Sequence, residues 1–113
     1  MEQDCLFCRI AQGHVPAARA LENEWVIAIH DANPQAPVHL LVIPKRHVAG
    51  LPALPPDDAL WNRLLAAVQR VSADAGLDRG FRVVVNAGED GGQTVGHLHL
   101  HVLGGRTMGW PPG

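Results

Sequence analysis

The chain has 113 residues, a net charge of −2 and seven histidines. This length allows one domain with a single core, over residues 1–113, and is too short for two independent domains. The charges are spread along the chain without a basic stripe, so we expect no nucleic acid partner. The N-terminus lacks the basic start and apolar run of a signal peptide, and no segment approaches the roughly 20 apolar residues that cross a bilayer. We therefore expect a cytoplasmic protein without a membrane partner.

The N-terminal third is predicted to contain a short helix and three strands. Apolar residues at helical spacing predict the helix over residues 5–12, and Gly13 ends it. Apolar runs between turn signals predict strands at 18–21, 25–29 and 38–43.

The remainder is predicted to hold one long helix and two more strands. Leu60, Leu64, Ala67, Val71 and Ala75 recur at three- and four-residue steps, which predicts a helix to about Ala75. Asp57 is its expected N-cap and Gly76 its expected stop. Strands are expected at 81–86 and 96–103. Short strands with hairpin connections and one long covering helix indicate an α+β domain with an antiparallel sheet, since a doubly wound parallel sheet would need more crossover helices.

Three histidines alternate with apolar residues on the last predicted strand. His97, His99 and His101 would share one face, because side chains alternate along a strand. Imidazoles offer nucleophiles, proton carriers and metal ligands at neutral pH. Strand residues two apart lie about 6.6–7 Å apart, so two of the three could share a metal but all three could not without bending. A solvated polar face is the plainest alternative.

A glycine-rich segment, residues 86–94, precedes these histidines. Gly88, Gly91 and Gly92 leave backbone N–H groups free to approach a phosphate. By itself the segment would suit an ordinary hairpin turn, which Asn86 could cap. Beside three imidazoles it indicates phosphoryl or nucleotidyl chemistry.

The two cysteines, Cys5 and Cys8, form a Cys-x-x-Cys pair. In a reducing compartment such a pair is more often a metal or redox element than a structural disulfide. Chains of this size also gain stability by oligomerising, so a dimer is plausible.

The run from His97 to Leu103 resembles the His-φ-His-φ-His-φ-φ signature of the histidine triad superfamily. Further stretches look like its Hint branch, the histidine triad nucleotide-binding proteins: Phe7, Pro16, 30–39, 42–47, 84–86, 91–93, 103–106 and 110–113. The resemblance covers nearly the whole chain. It implies a HIT-like fold, with a five-stranded antiparallel meander, one long helix and a short N-terminal helix. It also implies a homodimer with the tail, about 104–113, near the partner's active site.

The activity implied is hydrolysis of purine nucleoside 5′-phosphoramidates, which are AMP- or GMP-linked amines, and aminoacyl adenylates are a further candidate substrate. The resemblance makes His99 the nucleophile that forms a nucleotidyl-histidine. His101 would contact the phosphoryl oxygens and His39 would complete the hydrogen-bond network, with His97 as first member of the catalytic row. No redox or nucleotide cofactor is required.

The same resemblance assigns the substrate contacts. Asp31 would bind the ribose hydroxyls, Asn86 and Gly92 the phosphate, and Gln93 and Thr94 would face the leaving group. Trp110 would lie near the partner's site. The base would contact Phe7, Ile10, Ile29, His30 and Ala32, although core packing is an equal reading of Phe7, Ile10 and Ile29. Departures from many Hint members at Ile29, Ala32, Thr94 and Gly96 leave the base and the leaving group open.

Cys5 and Cys8 are similar to the zinc-binding pair of other histidine triad proteins. In those proteins two histidines join the pair, and the matching positions here are His47 and His97. Two thiolates and two imidazoles make a closed tetrahedral set, which implies a structural zinc. Two buried thiols without metal are the alternative, and His39 could replace His47.

Two other functions compete with the phosphoramidase. One is a nucleotide-binding scaffold with little turnover, and the other is dinucleotide or cap hydrolysis, as in other branches of the superfamily. The intact His99 favours an enzyme, because binding alone does not require a nucleophile. The short length and the Trp-Pro-Pro-Gly ending favour the Hint branch.

Overall fold

The computed structural model describes residues 4–113, which fold into one five-stranded antiparallel sheet with a helix on each face. The predicted α+β class, both helices and all five strands are confirmed. No helix in this described part of the chain is long and apolar enough to cross a membrane. In chain order the elements are α1 Leu6–Ala11, β1 Arg19–Glu22, β2 Val26–His30, β3 Val38–Pro44, a 3₁₀ turn Leu51–Ala53, α2 Leu60–Asp74, β4 Phe81–Val84 and β5 Leu100–Gly104.

The strand order across the sheet is β1-β2-β3-β5-β4. The first three strands form the predicted meander, but β5 lies between β3 and β4. The reason is that α2 carries the chain from β3 to the far edge of the sheet, which leaves a central position for β5. Leu41 on β3 therefore pairs with His101 on β5, and His39 pairs with Leu103. This register brings two histidines from distant parts of the chain onto neighbouring strands.

Alternation along the central strands divides the core into two clusters, one on each face. On the α2 face, residues such as Val26, Leu40 and Val42 pack with Leu64 of the helix. On the α1 face, their neighbours Ile27, Ile29, Leu41 and Ile43 pack with Phe7 and Ile10. The apolar members of the histidine row, Leu98, Leu100 and Val102, belong to the α2 cluster as predicted. The histidines consequently lie toward α1.

Two element boundaries differ from the predictions. The N-cap assignment of Asp57 is wrong, because α2 begins at Leu60 and its first N–H donates to Asp58 Oδ1 at 2.9 Å. An aspartate two residues ahead of a backbone N–H readily makes this bond. The fourth strand ends at Val84 and does not include residues 85 and 86.

The last strand also starts later than expected, at Leu100 and not at Gly96. The preceding segment bends, since the His97 N–H donates to the Val95 carbonyl at 2.8 Å and the Leu98 N–H to the Val48 carbonyl at 2.7 Å. Only His101 of the three histidines therefore lies on a regular strand. The bend lets His97 turn toward a different set of residues from His101.

Candidate active site

His99 lies at the centre of the histidine row and is held in one orientation by its own chain. Its Nδ1 is 2.8 Å from the carbonyl oxygen of His97. A carbonyl can only accept, so Nδ1 carries the ring proton and Nε2 keeps the lone pair. The ring is buried, and the edge of Phe7 packs against it with centroids 5.0 Å apart. The result is an immobilised imidazole whose neutral form has its lone pair on Nε2.

His39 and His101 form a hydrogen-bonded pair beside this nucleophile candidate. The His39 Nε2 lies 2.9 Å from the His101 Nδ1 and 3.4 Å from a carboxylate oxygen of Asp31. The His101 ring packs against the His99 ring with centroids 5.0 Å apart. The register of β3 against β5 thus assembles three imidazoles and one carboxylate at one place.

Burial lowers the pKa of His101 below its ordinary value of 6.5. Repulsion from any positive charge on His99 or His39 lowers this pKa further, and the Asp31 carboxylate opposes the shift. A neutral His101 offers one N–H donor and one acceptor nitrogen at pH 7.

A second group of side chains lies on the other side of His97. The potential ligand atoms of Cys5, Cys8, His47 and His97 all lie within 4.8 Å of one another. The Cys5 Sγ is 3.2 Å from His97 Nδ1, and the Cys8 Sγ is 3.3 Å from His47 Nδ1. His39 belongs to a separate group with Asp31 and His101. Of the two histidines considered as partners of the cysteines, His47 is therefore the one beside them.

The chemistry of this second group fits a zinc ion. The His97 Nε2 donates to the Pro44 carbonyl at 2.8 Å, so its Nδ1 presents a lone pair toward the thiols. A carbonyl that fixes the tautomer of a histidine in this way is typical of metal ligands. Burial lowers the pKa of His97, although the bond to Pro44 opposes the shift. Two sulfurs and two neutral imidazoles form the donor set that zinc prefers.

The glycine-rich loop is organised by hydrogen bonds to its own amide side chains. Gly88 and Gly92 have positive φ values of 73° and 76°, and a Cβ on Gly91 would overlap the Ala87 carbonyl. The Asn86 amide donates to the Gly91 carbonyl at 2.7 Å. In this structure Asn86 thus makes the turn cap considered above.

Gln93 joins this loop to the rest of the domain. Its amide nitrogen donates to the carbonyls of Ala49 at 2.8 Å and Val95 at 3.0 Å, and its amide oxygen accepts from the Gly88 N–H at 3.0 Å. Thr94 is exposed and, with Cys5 and His47, lines a cleft of about 420 Å³.

The residues expected around the base fall into two sets. Phe7, Ile10 and Ile29 are all buried in the α1 cluster, which agrees with core packing. His30 and Ala32 are exposed beside the half-buried Asp31, at the end of β2. Trp110 is 83% exposed on the tail.

One contact in the site was not anticipated from the sequence. The backbone N–H of Gln35 donates to the Nδ1 of His39 at 3.0 Å. The nearest signal in the sequence is the pair of prolines, Pro34 and Pro37, which restrict the chain around Gln35.

Comparison with known proteins places the chain in a family. Residues 12–108 match the HIT domain family. The chain belongs to this family. An uncharacterized HIT-like protein from Synechocystis is 48% identical over 114 residues, covering 100% of both chains. The crystal structure of a HIT family hydrolase from Legionella pneumophila superposes with a TM-score of 0.94 at 46% identity, covering 97% of this chain and 100% of that one.

Two further HIT structures bear on the two halves of the site. A histidine triad nucleotide-binding protein from Candida albicans has a TM-score of 0.82 at 30% identity, covering 96% of this chain and 83% of that one. A zinc-bound histidine triad family protein from Mycobacterium smegmatis has a TM-score of 0.82 at 38% identity, covering 91% and 76%. The first is a nucleotide-binding protein. The second holds zinc, the metal that the Cys-His group here would suit.

The lowered pKa of His101 predicts a stability that depends on pH. The His101 ring binds a proton less readily in the folded state than in the unfolded state. The stability that depends on a neutral His101 is therefore fully present above about pH 6.5 and is lost as the pH falls. His101→Asn removes the titrating group. Its free energy of unfolding, from urea denaturation, should therefore fall less steeply than that of the wild type between about pH 7 and pH 5. Parallel slopes for the two proteins would contradict the assignment.

Proposed function

We propose that this chain hydrolyses purine nucleoside 5′-phosphoramidates through a nucleotidyl intermediate on His99. The observation that carries the proposal is the 2.8 Å contact between the His99 Nδ1 and the His97 carbonyl. It keeps the proton on Nδ1, so that Nε2 is available to attack phosphorus without a separate strong base. The hydrolase from Legionella, which belongs to the same family, supports hydrolysis as the reaction class.

The proposed reaction has two steps. In the first, the His99 Nε2 forms a bond to phosphorus while the bond from phosphorus to the substrate nitrogen breaks, and the amine takes a proton from the solvent as it departs. In the second, water attacks the same phosphorus and releases a proton to the solvent, the P–N bond to His99 breaks, and the nucleoside monophosphate leaves. His101 supplies an N–H donor for charge that develops on the phosphoryl oxygens, and His39 orients His101 through the hydrogen bond between their rings.

Nucleotide binding follows from the groups around the histidines. In the proposed complex the Asp31 carboxylate accepts from the ribose hydroxyls, and backbone N–H groups near Gly92 bind the phosphate. Asn86 holds the loop that presents these N–H groups, and Gln93 and Thr94 lie toward the leaving amine. His30 and Ala32 border the base, above the apolar cluster of Phe7, Ile10 and Ile29. The nucleotide-binding protein from Candida supports this ligand class.

We further propose a zinc ion bound by Cys5, Cys8, His47 and His97. Four protein ligands leave no open coordination position, so the metal would supply structural stability and take no part in the reaction. The zinc-bound protein from Mycobacterium smegmatis supports the choice of metal. Zinc at this place would tie α1 to the segment that carries His97.

A homodimer is proposed through the exposed edge of β4. Phe81 and Val83 are 42% and 40% exposed on this edge strand, and an apolar strand edge is a template for pairing with another strand. A second copy could pair in the same way, as a two-fold axis requires. Arg82 of β4 donates to the Gly109 carbonyl at 2.7 Å. This contact holds the tail, with the adjacent Trp110, at the edge where the partner would bind.

His99→Ala should abolish turnover of an adenosine 5′-phosphoramidate of a simple amine, with a loss of about a thousandfold or more, because the nucleophile is removed. Rapid quenching and mass spectrometry of the wild type should detect an added adenylyl group on His99. His14→Ala, in an exposed loop, is the matched control and should retain full activity. A wild type that binds AMP without turnover would instead indicate a nucleotide-binding scaffold.

Purified wild-type protein should contain about one zinc per chain, measured by mass spectrometry of metals. His47→Ala should lose most of this zinc and unfold at a lower temperature, because a closed site with a missing ligand binds weakly. His39→Ala should keep its zinc, since His39 lies in the other group. Equal metal contents in the two variants would contradict the ligand set.

Val83→Lys should convert the dimer to a monomer, because a charged side chain on an edge strand opposes pairing. Sedimentation velocity measures the mass directly. Leu51→Lys is the matched control, as Leu51 is 41% exposed but lies in the 3₁₀ turn. A monomeric wild type, or a Val83→Lys dimer, would exclude this interface.

A further inference from the structure

The tautomer of His39 is determined by a main-chain neighbour that can play only one role. The Gln35 main-chain N–H, 3.0 Å from the His39 Nδ1, can only donate. This contact requires a bare Nδ1, so the proton of a neutral His39 is on Nε2. The Asp31 carboxylate, 3.4 Å from the His39 Nε2, favours the same state by its charge.

The tautomer of His39 determines the tautomer of His101, because the two rings are joined by a hydrogen bond. With its proton on Nε2, His39 donates to the His101 Nδ1 at 2.9 Å. The proton of a neutral His101 must then be on its Nε2, the ring nitrogen that does not face His39. An N–H at that position can donate to a phosphoryl oxygen during transfer. In the opposite tautomer, His101 would offer a lone pair there and repel the same oxygen.

The Gln35 peptide is held in place by the C-terminal segment. The Arg106 guanidinium donates to the Gln35 carbonyl at 3.2 Å. Gly105, with a φ of 89°, packs so closely that a Cβ there would lie 2.9 Å from the Pro37 Cβ. Pro34 and Pro37 limit the backbone freedom of the loop between them. The segment after β5 thus braces the loop that orients His39.

We propose that the Gln35 main-chain N–H, braced by Arg106, is a positioning group that sets the His39 tautomer and thereby presents a His101 proton to the transferring phosphoryl group. The inference rests on the proposed function for its catalytic consequence. Its structural content, the state of two imidazole rings, can be measured without turnover. Neither Gln35 nor Arg106 touches the reacting atoms in this account.

The first test is the nitrogen-15 NMR spectrum of the histidine rings in the wild type, at a pH where they are neutral. His39→Gln identifies the His39 signals by their disappearance. We expect a protonated Nε2 and a bare Nδ1 for His39, and the same tautomer for His101. A protonated Nδ1 on His39, or an even mixture of tautomers, would overturn the proposal.

The second test compares two matched pairs of variants. Gln35→Pro removes the N–H, whereas Gln35→Ala keeps it, and both lose the side-chain bond to the Asn33 carbonyl. We expect mixed His39 tautomers only in the proline variant. Its kcat/KM should also fall about tenfold, because one hydrogen bond is lost. If the two variants gave the same ring signals, the N–H would have no such role.

Arg106→Met and Arg82→Met form the second pair and do not alter the loop backbone. Both arginines donate to a main-chain carbonyl, but Arg82 bonds Gly109 and not Gln35. We expect partial mixing of the His39 tautomers in Arg106→Met alone, and identical spectra for both variants would remove Arg106 from the proposal. These readouts need no substrate. A correct tautomer in a protein without turnover would refute the proposed function and the catalytic consequence drawn here, and would leave the structural part, the role of Gln35 and Arg106 in setting the His39 tautomer, standing.

Discussion

His97 connects the two halves of the site, and the arrangement of the other functional groups depends on it. Its carbonyl accepts from the His99 Nδ1 at 2.8 Å, its Nε2 donates to the Pro44 carbonyl at 2.8 Å, and its Nδ1 faces the Cys5 thiol at 3.2 Å. The ring is completely buried. One residue therefore orients His99 through its main chain and completes the Cys-His group, the candidate metal site, through its side chain. The two halves of the site are linked through this residue.

Main-chain groups determine the proton positions of three of the site's histidine rings, and the fourth, His101, bonds to one of these three, His39. A carbonyl oxygen fixes the proton of His97 and another fixes that of His99, while a backbone N–H fixes the bare nitrogen of His39. Backbone groups cannot exchange donor and acceptor roles, unlike hydroxyl or imidazole groups. The site is thus preorganised by main-chain carbonyl and N–H groups. Preorganised donors cost no rearrangement during a reaction, which is the condition for electrostatic catalysis.

Much of the fold and part of the site could be predicted from local patterns. Helical periodicity identified α2, because one face of that helix is buried, and apolar segments between turn signals identified the strands of the sheet. The alternation of His97, Leu98, His99 and Leu100 separated reactive from core side chains even where the chain leaves the regular strand. The Cys-x-x-Cys spacing, about one helical turn, predicted that Cys5 and Cys8 lie together. Boundaries were less accurate. A local bond from the Leu60 N–H to Asp58 lies at the start of α2, and the bond from the Leu98 N–H to the distant Val48 carbonyl lies in the bend before β5.

The sequence by itself determined which residue types are available, how they alternate between faces, and which family the chain resembles. The tertiary structure decided the strand order, the place of His47 beside the cysteines, and the pairing of His39 with His101 and Asp31. It also decided that Asn86 and Gln93 use their amides to hold the glycine loop. Periodic patterns record local burial, whereas most of these contacts join side chains that are far apart in the chain. Only the folded sheet brings those side chains together, so no local pattern reveals their contacts.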